Sequence, residues 1–173
     1  MKPRAAPLLV LLTLALALTA RPVLPHDGTH APAPREARVI SGEEPLAIPN
    51  FPVALAGGRA GGLRDMLPKA APVIIGFTYT NCQSLCGITN AVLLWIDGAL
   101  AENGLNGARI VTISIDPLRD TPERLDAVRH EIGASERWLW VTAGPQGTQA
   151  LLDALRFPPG PVEDHDPVYL IGR

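Results

Sequence analysis

The chain from residue 46 onward alternates between short apolar runs and longer segments in which apolar residues recur at spacings of three and four. The apolar runs are rich in β-branched residues, which is typical of buried strands. They cover residues 72–78, 109–115, 138–142 and 168–171. The segments predicted to be helical cover residues 85–103, 121–133 and 146–155. This alternation predicts crossover units, and therefore an α/β fold with a central, mostly parallel sheet flanked by helices.

Two of the predicted helices carry further signals. The first has an apolar stripe that we expect to face the core, and it should end near Asn103 and Gly104. The members of this stripe are Leu85, Ile88, Val92, Leu93, Ile96 and Leu100. In the second helix, Thr121 is expected to cap the N-terminus with Pro122 at the first helical position, and Gly133 to end the helix.

Upstream of the first buried strand, the pattern is less regular. Residues 48–55 predict a strand, or a pair of strands interrupted by prolines. Residues 57–62 contain four glycines and predict a turn, and residues 63–67 predict a short helical turn. The length of 173 residues predicts one domain, and no internal repeat is visible.

The first 45 residues lack the pattern of a packed domain. Lys2 and Arg4 precede an uncharged, leucine-rich run over residues 5–20, which is the layout of a secretory signal. The run is shorter than the roughly 20 residues that cross a bilayer comfortably. We therefore predict a cleaved signal peptide, with an uncleaved membrane anchor as the alternative. Residues 21–45 are predicted to form a proline-rich linker, and residues 46–173 the folded domain.

Composition limits the class of protein further. The chain has 173 residues, of which 47% are hydrophobic and 18% charged, and this excludes a disordered chain. A net charge of -2 offers no basic surface for a phosphate backbone, so we expect no nucleic-acid partner. Arginine greatly outnumbers lysine, which is typical of a GC-rich bacterial gene. We therefore expect the domain in the bacterial periplasm or at the periplasmic face of the inner membrane.

The only two cysteines, Cys82 and Cys86, follow the first buried strand and lie four residues apart. If the helix begins near Cys82, both thiols share one helix face with Cβ atoms about 5–6 Å apart. This separation suits one metal ion, and a small loop adjustment permits a disulfide. The positive potential at a helix N-terminus stabilises thiolates, which both metal binding and redox exchange require. A purely structural disulfide is the simpler alternative.

One of the four histidines can join the cysteines. His165 directly precedes the last predicted strand, in a loop that can return to the sheet edge where the cysteines lie. Two thiolates and one imidazole form a soft set of three ligands, which suits cuprous copper better than structural zinc with its four ligands. His26 and His30 are expected to be incidental linker residues, and His130 to have a structural role near a helix end.

Three motifs in order give the chain a resemblance to the Sco/SenC family of thioredoxin-like copper chaperones. The first is residues 73–82 followed by Cys86, which is similar to the family's strand and Cys-x-x-x-Cys loop. The second is residues 114–125, close to the Asp-Pro-x-x-Asp-Thr-Pro signature, and the third is Asp164-His165 before the last strand. The resemblance implies a thioredoxin-like fold that binds copper through Cys82, Cys86 and His165.

The resemblance also implies a role and partners. Family members deliver copper to the dinuclear copper centre of cytochrome oxidase or reduce the thiols of that copper-binding subunit. Other copper or thiol-redox proteins are further expected partners. Asp116 and Asp120 match the signature, and we expect them to organise the loop beside the site without binding the metal.

The chain departs from the family pattern in two places. Gln83 and Gly87 stand where family members usually have proline after each cysteine, which should make the loop more mobile. Family domains also continue through a further strand and helix, whereas this chain stops at Arg173. We therefore expect a domain that lacks its last strand and helix and has an exposed edge at residues 168–171.

These observations favour a copper-binding metallochaperone that is not an enzyme. An exported thiol–disulfide oxidoreductase that uses Cys82 and Cys86 is the alternative, and it would not need His165. A peroxidase ranks third, because residues 78–82 lack the Pro-x-x-x-Thr-x-x-Cys arrangement of such enzymes.

Overall fold

The structure is a computed structural model that describes residues 40–81, 86–163 and 165–173. Residues 44–173 form one compact unit. Its strands are β1 (Pro52–Leu55), β2 (Ala60–Gly62), β3 (Val73–Thr78), β4 (Arg109–Ser114), β5 (Trp138–Thr142) and β6 (Tyr169–Gly172). Its helices are α1 (Cys86–Glu102), α2 (Pro122–Glu131) and α3 (Gly144–Ala154), and a short 3-10 turn covers Arg64–Met66. Within the described ranges, none of the helices has the length and apolarity to cross a bilayer.

The six strands form one sheet in the order β2-β1-β5-β4-β3-β6. The three central strands β5, β4 and β3 are parallel, because α1 and α2 carry the chain back between them. The outer strands β1, β2 and β6 pair antiparallel with their neighbours. The predicted α/β fold is confirmed, with its parallel part confined to the centre of a mixed sheet.

Helices cover the sheet on both faces. On one face, α1 and α2 pack with Ile74, Ile110 and the two buried tryptophans Trp138 and Trp140. On the other face, α3 packs with the alternate residues of the same strands, such as Val111 and Val141. The central strands β3 and β4 are therefore buried on both sides, as their uninterrupted apolar runs predict.

The predicted buried face of α1 is partly wrong. Leu93 and Leu100 are buried, but Ile88 and Val92 are exposed to solvent, with exposed fractions of 56% and 38%. The residues that α1 buries are Cys86, Thr89, Leu93, Asp97 and Leu100. Asp97 can face inward because its carboxylate accepts hydrogen bonds from Ser135 and pairs with Arg137. The spacing of apolar residues along α1 does not reveal these polar partners, so it does not predict which face of the helix is buried.

Other boundaries differ in smaller ways. The glycine-rich segment predicted as a turn contributes β2, which pairs with β1. α3 begins at Gly144, two residues earlier than predicted. The predicted cap of α2 is present: the Thr121 side chain accepts a hydrogen bond from the Arg124 amide, and Gly133 has a φ of 73° just beyond the helix. β6 forms an edge of the sheet, in agreement with the exposed edge expected there.

Candidate metal centre

The candidate centre lies at the carboxyl edge of the parallel strands, where ligand sites of open α/β sheets occur. Cys86 begins α1 and is 4% exposed, in the same core cluster as Phe77 and Tyr79 from the end of β3. Cys86 is disulfide-bonded in the structure. The chain's other cysteine, Cys82, and the predicted pairing of both thiols on one helix face lie outside the described residues.

His165 lies against aromatic residues of the same cluster. Its ring centroid is 6.1 Å from that of Tyr79 and 5.8 Å from that of Phe157. Phe157 in turn packs on Phe77, with ring centroids 4.5 Å apart. The loop before β6 therefore returns to the edge where β3 ends, and it carries the imidazole to the residues that surround Cys86.

The imidazole of His165 is oriented by its own loop. Its Nδ1 lies 3.1 Å from the backbone oxygen of Asp166. Because a carbonyl oxygen only accepts hydrogen bonds, this contact requires a proton on Nδ1, so Nε2 is the nitrogen that a neutral ring would offer to a metal. A neutral imidazole with one nitrogen held by a carbonyl is the usual form of a metal-binding histidine.

A buried carboxylate connects the loops that follow β3 and β4. Asp120 is 2% exposed and accepts hydrogen bonds from the Thr80 amide at 3.1 Å, the Thr80 hydroxyl at 2.5 Å and the Ser114 hydroxyl at 2.6 Å. Thr80 precedes Cys82 by two residues. Of the two signature carboxylates expected to organise the loop beside the site, Asp120 contacts the described residue Thr80 at its entry.

The second signature carboxylate has a different partner. Asp116 is 4% exposed and forms an ion pair with Arg119, with 2.8 Å between Oδ2 and the guanidinium. The hydrogen bond and the charge of Asp116 raise the pKa of Arg119, and the charge of Glu163 also contributes. Arg119 is 57% exposed and presents a positive charge to solvent, and its charge interaction with Glu163 relates it to the segment before His165.

Sequence reasoning missed the aromatic residues that support the histidine. Phe157 follows α3 after Arg156, whose φ of 55° turns the chain sharply. This reversal places the Phe157 ring between Phe77 and His165. A lone phenylalanine after a helix carries no periodic signal, so only the packing reveals this role.

His130, the other histidine among the described residues, does not join the centre. His130 lies on α2, where its Nε2 is 3.5 Å from Asp126, in agreement with a structural role. His26 and His30 lie outside the described residues. Within residues 40–81, 86–163 and 165–173, no three metal-binding side chains converge on one point. The predicted set needs Cys82 as its third member. Cys86 can bind a metal only after its disulfide is reduced to the thiolate, and a thiolate together with an imidazole suits copper.

Comparisons with known proteins place this geometry in context. The SCO1/SenC family profile matches residues 57–167, well over half of the chain. A search of curated proteins found no significant match.

Solved structures share the fold at low sequence identity. BsSco, described as a member of the Sco family of cytochrome c oxidase assembly proteins, is 18% identical with a TM-score of 0.60, over 73% of this chain and 76% of its own. Copper-bound ScoI from Bradyrhizobium japonicum is 20% identical with a TM-score of 0.56, over 73% and 79%. Copper-bound yeast Sco1 is 22% identical with a TM-score of 0.54, over 66% and 70%.

These likenesses agree with the thioredoxin-like fold predicted from the sequence. Together with the match over residues 57–167, they support one conclusion: this chain belongs to the SCO1/SenC family.

Proposed function

We propose that this protein is a copper-binding metallochaperone that serves the assembly of cytochrome oxidase. The observation that carries the proposal is the match to the SCO1/SenC family over a domain in which Cys86 and His165 lie against one aromatic cluster. The solved relatives with copper bound support the same metal. Copper is the cargo of the protein and not a resident cofactor.

The proposed ligands are Cys82, Cys86 and His165. Two thiolates and the Nε2 of a neutral imidazole provide a three-coordinate site for cuprous copper. Buried surroundings at Cys86 exclude water from one side of the metal, and the half-buried His165 leaves the other side accessible. A client can then replace the ligands one at a time, without any change in the charge of the copper ion.

The client that we propose is the copper-binding subunit of cytochrome oxidase. Delivery of copper to its dinuclear centre and preparation of its thiols are both compatible with a Cys-x-x-x-Cys pair. We further propose that residues 1–20 direct export as a signal peptide or anchor, that residues 21–45 form a linker, and that the domain works in the periplasm.

The direct test is a titration of the reduced full chain with Cu(I) against a competing chelator. We expect one Cu(I) per chain. His165→Ala removes a proposed ligand, so it should weaken Cu(I) binding by at least about 10- to 100-fold, which is the loss seen when a residue that supports a metal ligand is removed. His130→Ala is the matched control, because His130 is an exposed histidine away from the centre, and it should leave the affinity unchanged. Equal affinity of wild type and His165→Ala would rule out the three-ligand site.

The disulfide at Cys86 favours a second candidate function, thiol–disulfide exchange. In this reaction the reduced Cys82 and Cys86 pair passes two electrons and two protons to a client disulfide through a mixed disulfide, and the pair itself becomes oxidised. This candidate would replace the first if the reduced chain fails to bind Cu(I) but reduces a disulfide substrate at a rate that His165→Ala does not change.

A further inference from the structure

We propose that Asp120 is a positioning residue of the metal centre: it holds the backbone entering Cys82 in place from the neighbouring loop and thereby sets the copper affinity. This inference rests on the proposed function and adds a residue to it. The observation is a hydrogen-bond network that crosses 40 positions of sequence, from Asp120 to Thr80.

Both oxygens of the Asp120 carboxylate are used. Oδ1 accepts the Thr80 hydroxyl at 2.5 Å, Oδ2 accepts the Ser114 hydroxyl at 2.6 Å, and the Thr80 amide lies 3.1 Å from each. The backbone of Asp120 is itself fixed, because its amide donates to the Asp116 oxygen at 2.9 Å. Thr80 is therefore bound at both its backbone and its side chain to a hydrogen-bonded turn.

The two signature carboxylates differ in what they hold. Asp116 bonds to Arg119, three residues away within its own loop. Asp120 reaches the loop of the cysteines, and its hydrogen bonds are of the charge-assisted kind, which are roughly twice as strong as neutral ones. The backbone pairing of β3 and β4 ends with the hydrogen bond from the Ile115 amide to the Thr78 oxygen. Among the described residues, the Asp120 side chain then links the two loops that follow these strands.

This link matters for copper because a metal site binds tightly only when its ligands are held near the geometry that the metal requires. Asp120 supplies such a restraint to Thr80, two residues before Cys82, from the neighbouring loop.

The test compares Asp120→Asn with Asp97→Asn in the full chain. Asp97 is the matched control: it is 5% exposed, accepts two hydrogen bonds from Ser135 and pairs with Arg137. It lies in the second half of α1, about three helical turns beyond Cys86, and its partners precede β5 at the end of the sheet opposite the candidate centre. Both variants should lower the thermal midpoint. We expect only Asp120→Asn to weaken Cu(I) binding, by about 10- to 100-fold, and to remove the exchange protection of the Thr80 amide.

A second pair of variants tests the bond itself. Thr80→Val removes the hydroxyl that Asp120 accepts and should weaken Cu(I) binding, whereas Thr80→Ser keeps the hydroxyl and should bind as the wild type does. Unchanged affinity in Asp120→Asn, or an equal loss in Asp97→Asn, would overturn the inference.

Failure of the proposed function is recognised separately. If the wild-type chain does not take up Cu(I), the proposed copper function is wrong. The positioning role of Asp120 is then tested by measuring the midpoint potential of the Cys82/Cys86 pair against glutathione in the wild type and in both variants. A potential that shifts in Asp120→Asn and not in Asp97→Asn supports that role, and one that stays at the wild-type value overturns it.

Discussion

Gly76 in the middle of β3 shows how one residue fixes the position of a helix. A Cβ atom at Gly76 would lie 2.8 Å from Cδ1 of Leu93, the residue by which α1 packs on the strand. Because Leu93 is completely buried, it cannot move aside without disturbing its neighbours. The close approach therefore depends on the missing side chain, and it places the start of α1, with Cys86, beside the end of β3.

We expect Gly76→Ala to destabilise the domain by about 1–3 kcal/mol through overpacking against Leu93. Gly98→Ala is the matched control, because Gly98 lies exposed in α1 with no atom within 4 Å of a new Cβ. That change should stabilise the domain by about 0.5–1 kcal/mol, since alanine favours a helix more than glycine does. Denaturant unfolding of both variants measures the difference, and equal stability of the two would show that Leu93 can shift.

At the scale of the element, α2 shows a cap that works as its sequence predicts. Thr121 accepts a hydrogen bond from the Arg124 amide, and Pro122 begins the helix. The hydrogen bond of Thr121 to the Glu123 carboxylate and a backbone hydrogen bond lower the pKa of Glu123. The carboxylate also lies near the positive end of the helix dipole, which favours its charged form.

A lowered pKa in the folded state has a defined effect on stability. Glu123 contributes stability at pH values above the ordinary glutamate pKa of about 4.3, and this contribution is lost as the pH falls through the lower folded value. We expect the carboxyl carbon of Glu123, followed by NMR, to titrate below the ordinary range. Thr121→Ala should raise the pH midpoint of the Glu123 titration, and Thr121→Ser should leave this midpoint unchanged. A midpoint that Thr121→Ala does not move would contradict the role of the hydroxyl.

At the scale of the whole molecule, one side of the domain exposes an apolar strip. The strip consists of Gly87, Ile88, Ala91, Val92 and Trp95 along α1 and lines a shallow cavity of about 420 Å³. Trp95 is 73% exposed, whereas Trp138 and Trp140 are 1% exposed. Ile171 of the edge strand β6 pairs with Ile74, and Ile74 packs with Leu93 of α1. Because paired residues point to the same face of a sheet, the exposed Ile171 adds apolar surface on the face that α1 covers.

The apolar strip should make the chain bind hydrophobic dyes and associate at high concentration. We expect Trp95→Lys to reduce both, while the free energy of unfolding changes by no more than about 0.5 kcal/mol. Leu118→Lys is the control, since Leu118 is 82% exposed outside the strip. Dye fluorescence and sedimentation measure the effect, and equal dye binding in wild type and Trp95→Lys would show that the strip is not the binding surface.

Most of the elements and part of the candidate centre could be predicted from the sequence. The strands were predicted because β3, β4 and β5 are buried on both faces and read as uninterrupted apolar runs. The face of α1 was mispredicted because Asp97 is buried by its pairing with Arg137, a contact between residues 40 positions apart. Phe157 and Thr80 were missed for the same reason, since Phe77, on which Phe157 packs, and Asp120, which binds Thr80, lie far from them in the sequence.

Local spacing and side-chain chemistry were enough to specify the order of elements, the cap of α2 and the family. The predicted ligand set as a whole stays a prediction, because Cys82 lies outside the described residues. Tertiary contacts set which face of α1 is buried, how His165 packs on Tyr79 and Phe157, and which of the two signature carboxylates reaches Thr80 before the cysteines. These features depend on contacts between loops at one edge of the sheet, and such contacts exist only once the crossover units have brought the strand ends together.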